Sequence, residues 1–260
     1  MKNKGTSEGT EQEINFVKNL NKNKDLNYWC DLMLNPIDHY AIRVIYKKYG
    51  ILNESKILPK ADAFIAKGFV DVDYLKSKDY FLDENDVKKF DLKPVIGSGI
   101  SIKRPDSKKY QIIKMAPSTF KKIFGSNILA SGASIYCNKE IEFSKNIKVL
   151  NGWKVSQSTF LDYFNSKLKI DLRSVVDQKN KENLKNIKKY SNQKIADIIN
   201  NDPNISNFMF FGVGNFIEPF IAWWIYKNDT FEKNSITPFS VTTGSGRSGG
   251  TYTIVLKPKP

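Results

Sequence analysis

Gly97-Ser98-Gly99-Ile100-Ser101-Ile102-Lys103-Arg104-Pro105-Asp106 is the stretch on which the reading of this chain turns. Its glycines suit a tight turn, and the residues after them alternate as a strand does. With a period of two, Ile100 and Ile102 point into a core while Ser101 and Lys103 share the opposite face. Pro105 has no N–H to give a sheet ladder, so the strand ends before it. A lysine is left near the end of a short strand. Upstream, Pro59-Lys60-Ala61-Asp62-Ala63-Phe64-Ile65-Ala66 reads as a second short strand carrying one aspartate. Asp62, Phe64 and Ala66 share a face, and the small residues flanking Asp62 let a ligand or metal come close. Lys103 follows Asp62 by 41 residues, so something substantial crosses between the two strands.

The chain has 260 residues, enough to bury a real core. Its formal net charge is +14, and the excess is uneven. Residues 51–100 hold 8 basic and 9 acidic side chains, residues 101–150 hold 10 and 3, and residues 151–200 hold 10 and 5. The surplus therefore begins where Lys103 stands. A nucleic acid is the simplest partner, because each phosphate contact releases counterions. A lysine- and asparagine-rich composition explains part of the same excess.

Cys30 and Cys137 are far apart and form no CxxC pair, so neither a zinc knuckle nor a disulfide framework is expected. His39 is the only histidine, which excludes nuclease classes built on paired histidines. The most apolar run, residues 216–226, is broken by Glu218-Pro219 and is too short to span a bilayer. A cytoplasmic protein without membrane attachment is the expectation.

Residues 1–9 read as a mobile tail and residues 10–260 as a single domain, its catalytic part at 10–125 and a helical and recognition part at 126–260. Thr10 is expected to cap a first helix, with Glu13 at the capping-box position. Glu13, Phe16, Val17 and Leu20 fall on one helical face, so Glu13 either closes the cap or turns a carboxylate inward. Residues 26–50 read as two helical pieces around Asn35-Pro36, and residues 69–74 as a strand. A helix is expected near residues 83–90, a strand-like piece at 110–115 and a helix at 118–125. Residues 150–201 read as mostly helical, residues 208–213 as a buried strand, and residues 231–254 as containing two more strands.

Lys108, Lys109, Lys114, Lys121 and Lys122 crowd the region after Lys103 and form the best candidate for a phosphate-tracking surface. The loop Thr242-Thr243-Gly244-Ser245-Gly246-Arg247-Ser248-Gly249-Gly250 carries one of only four arginines. Ser245 and Ser248 can approach a duplex closely, and Arg247 can pair bidentately with guanine in the major groove. An ordinary hairpin tip is the plainer alternative.

Phosphodiester hydrolysis needs an activated water and neutralised phosphate oxygens. Magnesium, held by one or two carboxylates and a carbonyl, supplies much of this. A neighbouring lysine can orient or deprotonate the water. Asp62, the Ile102 carbonyl and Glu13 as ligands, with Lys103 by the water and Ser101 facing the same way, would compose such a site.

Asp62 and Ser101-x-Lys103, with Glu13 on a preceding helix, resemble a degenerate form of the PD-(D/E)xK motif of type II restriction endonucleases. Ala61 stands where that family usually has proline, and Ser101 stands at the second acidic position. Pro105-Asp106-Ser107-Lys108 contains the letters of the motif but is contiguous, and it reads as a turn. The resemblance implies an α/β fold: a mixed central sheet flanked by helices, with a restriction-endonuclease-like core. It also implies magnesium-dependent, sequence-specific cleavage of double-stranded DNA within a restriction–modification system. Arg104 joins the basic residues as a DNA contact, and base readout falls to the C-terminal part. Glu11, Asp71, Asp73 and Glu84 stand in reserve as metal ligands. A structure-selective repair nuclease with the same core, and a non-catalytic DNA-binding protein with an Asp62–Lys103 ion pair, stay open. So do a monomer and a symmetric homodimer.

Overall fold

The structure is a computed structural model, and it describes residues 4–45, 59–105, 110–115, 117–125, 154–169, 181–244 and 253–259. The chain divides into two compact units, Met1–Tyr110 with Phe210–Ile236, and Gln111–Met209 with Thr237–Pro260. Residues 210–236 therefore belong with the unit that carries Asp62 and Lys103.

That first unit is built on a mixed sheet. Its strands are β1 (His39–Arg43), β2 (Ala63–Lys67), β3 (Lys93–Pro94) and β4 (Ile100–Ile102). Two later strands, β6 (Trp224–Lys227) and β7 (Thr230–Lys233), complete it, with β5 (Ile113–Met115) lying in the other unit. The spatial order is β1-β2-β4-β6-β7, with the short β3 also paired to β2. β2 is antiparallel to both β1 and β4, whereas β4 and β6 run parallel with Ile100 opposite Trp224. A parallel pair needs a long crossover. Here it contains the whole second unit apart from its C-terminal strands. The mixed sheet flanked by helices is the expected fold class.

Helix α1 (Lys4–Lys22) lies against β1. It begins upstream of Thr10, so Glu13 sits inside the helix and closes no capping box. Phe16, Val17 and Leu20 are buried as their spacing predicts. Asn21 accepts from the Ala41 N–H at 2.7 Å and donates to the Ala41 carbonyl at 3.0 Å, satisfying backbone groups of the end strand β1.

Residues 26–45 differ from the expected pair of helices. A short helix, α2 (Asn27–Asp31), is followed by a turn at Pro36–Asp38 and then by β1. Ala41, Ile42 and Val44 are buried because both faces of the strand are covered, and such a run carries no alternation to betray it. His39 is a packing residue, 4% exposed. Residues 69–74 are no strand either. Asp71 accepts from the N–H groups of Asp73 and Tyr74 and starts helix α3 (Val72–Ser77). Helix α4 (Glu84–Lys89) stands where expected, with a complete capping box between Asp83 and Asp86.

The stretch at residues 97–102 ties the sheet together. Ser98 Oγ accepts from the Ile65 N–H at 3.0 Å and donates to the Val95 carbonyl at 2.7 Å. The Ser98 carbonyl receives the buried Tyr28 hydroxyl at 2.6 Å, and the Gly97 carbonyl receives the Trp224 indole at 3.1 Å. At Gly99 a Cβ would lie 1.9 Å from the Ile221 carbonyl oxygen, so only glycine lets these backbones meet. β6 and β7 are joined through Asn228 and Asp229, both with φ near 50–60°. This left-handed pair suits a two-residue hairpin turn and tolerates these two side chains.

The second unit contains a three-stranded antiparallel sheet ordered β5-β9-β8, with β8 at Phe239–Gly244 and β9 at Thr253–Pro258. Among the described residues its helices include α5 (Pro117–Phe124), α6 (Gln157–Asp162) and α7 (Lys181–Asn201), and α7 lies against β8. Phe160, Phe164 and Tyr190 form an aromatic cluster. Residues 208–213, expected as a strand, mostly belong to helix α8 (Pro203–Phe211). Asp202 Oδ1 accepts from the N–H groups of Asn204 and Ile205, and Pro203 fills the first helical position. This start signal outweighs the apolar run that follows it.

Two glycine substitutions test this account. Gly99→Ala is expected to lower the stability in urea unfolding by about 2 kcal/mol or more, because the clash is with backbone. Gly9→Ala, inside α1 with nothing within 4 Å of its new methyl, is expected to raise it by up to about 1 kcal/mol.

Candidate active site

Asp62 is the centre of a charged cluster at the junction of β2 and β4. Its N–H donates to the Ile100 carbonyl at 2.7 Å, and its own carbonyl accepts from the Val44 N–H at 2.9 Å. The side chain is 7% exposed. Its Oδ2 accepts from the Ile102 N–H at 2.7 Å and from the Ser101 hydroxyl at 3.2 Å. Ser101 thus meets Asp62 across the strands, and the Ile102 N–H lies against the same carboxylate oxygen.

Lys103 follows directly. Its N–H donates to the Tyr226 carbonyl at 2.8 Å, which continues the β4–β6 pairing. Burial lowers the Lys103 ammonium below the ordinary lysine range, and the neighbouring Asp62 carboxylate works against that. Burial also raises Asp62, opposed by Lys103 and by the hydrogen bonds from Ile102 and Ser101. The Nζ atoms of Lys103 and Lys227 each lie 5.3 Å from the centre of the Tyr110 ring. An aromatic face thus steadies the lysine through cation–π attraction.

Glu13 reaches the same place from α1. Burial first, and then the Asp62 charge, push its carboxyl up to about 7, while Arg43 partly offsets them. Arg43 Nη1 lies 3.8 Å from Glu13 Oε2, and its Nε donates to the Asp79 carbonyl at 3.1 Å. Asp62, Ser101, Ile102, Lys103 and Glu13 are thus brought together by α1, β2 and β4.

Two cations of this cluster escaped the sequence reading. Arg43 was hidden by the expectation of a helix. Lys60 stands two residues before Asp62 in the bent segment that leads into β2, and its nearness in sequence was the available signal. Burial, and repulsion from Lys103, lower the Lys60 ammonium.

Among the proposed DNA contacts, Arg104 is partly buried directly after β4, and Lys114 and Lys122 are exposed on β5 and α5. The side chain of Lys121, and residues Lys108, Lys109, Ser245, Arg247 and Ser248, lie outside the described residues. Of the reserve acids, Glu11 is exposed, Asp71 caps α3, and Asp73 pairs with Lys76 at 2.8 Å. The Glu84 side chain is not described. Among the described residues no three His, Cys, Asp or Glu side chains gather as a metal site. No described helix is long and apolar enough to cross a membrane.

No protein-family model matches the chain, and no curated protein matches it. Among solved structures, the restriction endonuclease MspI in complex with its cognate DNA aligns with a TM-score of 0.41 and 12% identity. The alignment covers 88% of this chain and 74% of that one. At that score the likeness decides nothing about this chain, whose own residues carry the functional reading.

Glu13 gives the cluster a pH signature. Its carboxyl is raised in the fold from 4.5 to about 7, so its contribution to stability is full below the lower value and is lost as pH rises through the upper one. In EDTA, the wild-type melting temperature is expected to fall between about pH 5 and about pH 8 by more than that of Glu13→Gln.

Proposed function

We propose that this chain is a magnesium-dependent endonuclease of the type II restriction class, cutting double-stranded DNA at a short sequence. The observation that carries the reading is the Asp62 carboxylate, hydrogen-bonded to Ser101 and Ile102 beside the Lys103 ammonium, with Glu13 facing it from α1.

Two carboxylates and a main-chain carbonyl match the sparse protein ligation that magnesium takes, with waters and substrate phosphate completing the shell. The donor set therefore fits, and Asp62, Glu13 and the Ile102 carbonyl would hold the ion. Their mutual repulsion is a further reason for a cation between the two acids. When bound, the ion supplies Lewis-acid stabilisation of phosphate oxygens and a more acidic water.

The chain's own groups have distinct tasks in this proposal. Lys103 orients the attacking water, accepts its proton in the neutral form that burial favours, and otherwise offsets charge on the phosphate. Ser101 keeps Asp62 turned toward the site. Arg43 does the same for Glu13. Arg104, Lys108, Lys109, Lys114, Lys121 and Lys122 track DNA phosphates, while Ser245, Arg247 and Ser248 read bases. Residues 10–260 serve as one nuclease in the cytoplasm, with residues 10–125 supplying most of the chemistry and residues 126–260 the recognition. A symmetric homodimer would suit a palindromic site.

The test is incubation of the purified protein with phage DNA, in magnesium and in EDTA, beside Lys103→Ala. Discrete magnesium-dependent fragments are expected, with the rate reduced at least about 100-fold in the variant. A smear would favour a repair nuclease. Intact DNA with binding retained would favour a non-catalytic DNA-binding protein. Cleavage that survives Lys103→Ala would place the chemistry elsewhere.

A further inference from the structure

Lys227 is the last residue of β6, and the parallel pairing of β6 with β4 fixes where it stands. Ile100 lies opposite Trp224, Ser101 opposite Ile225 and Ile102 opposite Tyr226. The Lys103 N–H donates to the Tyr226 carbonyl at 2.8 Å, so the pairing runs on past Ile102. One step further in the same register sets Lys227 beside Lys103. Neighbours in register leave a sheet on the same face, from strands about 4.8 Å apart. By alternation that face also carries Ser101, whose hydroxyl meets Asp62.

The ends of the two lysines converge as well. Their Nζ atoms each lie 5.3 Å from the centre of the Tyr110 ring, so the two ammonium groups are no farther apart than twice that distance. Both side chains are half-buried. Burial and the Glu232 carboxylate raise the Tyr110 hydroxyl, which therefore keeps its proton, and the ring attracts both cations without cancelling either. Among the described residues no carboxylate forms an ion pair with either lysine. Like charges side by side on adjacent strands repel. An anion with more than one acceptor oxygen turns the same pair into a binding site. Lysine meets a phosphate as a point charge, without the planar geometry that arginine imposes.

We infer that Lys227 is a second phosphate-binding lysine, set beside Lys103 by strand register to hold a non-bridging oxygen of the phosphodiester that enters at Asp62. The inference rests on the nuclease reading for the identity of the substrate, whereas the grip on a DNA phosphate does not require cleavage. Lys227 forms and breaks no bond.

The experiment uses the full chain as wild type, Lys227→Met, Lys227→Arg and, for comparison, Lys76→Met, which removes an exposed lysine paired with Asp73. Affinity for labelled duplex fragments of phage DNA is measured in rising potassium chloride, with calcium in place of magnesium. Calcium takes oxygen ligands as magnesium does and offsets the two acids. Lys227→Met is expected to bind more weakly and to reduce the slope of log affinity against log salt by about one, as the loss of one phosphate contact does. Lys227→Arg and Lys76→Met are expected to keep the wild-type slope. In magnesium, at saturating protein, Lys227→Met is expected to cut at least about tenfold more slowly. Without DNA it is expected to melt no lower than wild type, because the stem is replaced and the repulsion is gone.

An unchanged slope in Lys227→Met would overturn the inference, as would an equal loss in Lys76→Met or a wild type that binds no DNA. A lowered slope with an unchanged cleavage rate would put Lys227 on another phosphate and overturn its assignment to this one. A Lys227→Met that melts below wild type or fails to fold would mark a structural lysine, which overturns it too. If the wild type binds DNA through Lys227 but cuts none, the nuclease reading fails while the phosphate contact stands.

Discussion

At Gly99 the Ile221 carbonyl oxygen occupies the space a side chain would need. Because that space is open, the Gly99 carbonyl receives the N–H groups of Trp223 and Trp224, at 2.9 and 3.0 Å. β6 can then run parallel beside β4. On the other side of the stretch, Ser98 bonds to Ile65 and Val95, and the Tyr28 hydroxyl meets the Ser98 carbonyl. Buried polar groups of this kind must all be satisfied, and here each has a partner. The register of β4, and with it the placement of Ser101, Ile102 and Lys103, follows from that joint.

The cluster that β4 presents is electrostatically expensive. Asp62 is almost entirely removed from water, and the Glu13 carboxyl lies near enough to feel its charge. The hydrogen bonds from Ile102 and Ser101 and the attraction of Lys103 recover part of the desolvation cost at Asp62, but burial still dominates. Perturbed carboxyl and ammonium groups gathered in one place are what acid–base and phosphate chemistry require. Tyr110, with a lysine ammonium toward its ring from Lys103 and another from Lys227, adds an attraction that holds Lys103 without neutralising it.

Legibility varied with the range of the interactions. The helix over residues 84–89 was readable because capping chemistry is local. β1 was not, since a strand covered on both faces has no alternation and its apolar residues also fit a helical stripe. The α8 run was misread for the opposite reason. Its Asp202-Pro203 start was local and available, but an apolar run of a few residues suits a buried strand equally well.

From the sequence alone came the identity and spacing of Asp62, Ser101 and Lys103, because alternation along two short strands assigns a face to each residue without knowledge of the partner. The side of α1 that carries Glu13 was likewise set by helical periodicity. Only the tertiary structure decided that Glu13 approaches Asp62 rather than closing a cap, and that Arg43 stands beside it. The parallel pairing of β4 with β6 was decided there as well. These contacts join residues tens to more than a hundred positions apart, and periodicity along a chain carries no record of which distant segment will cover a given face.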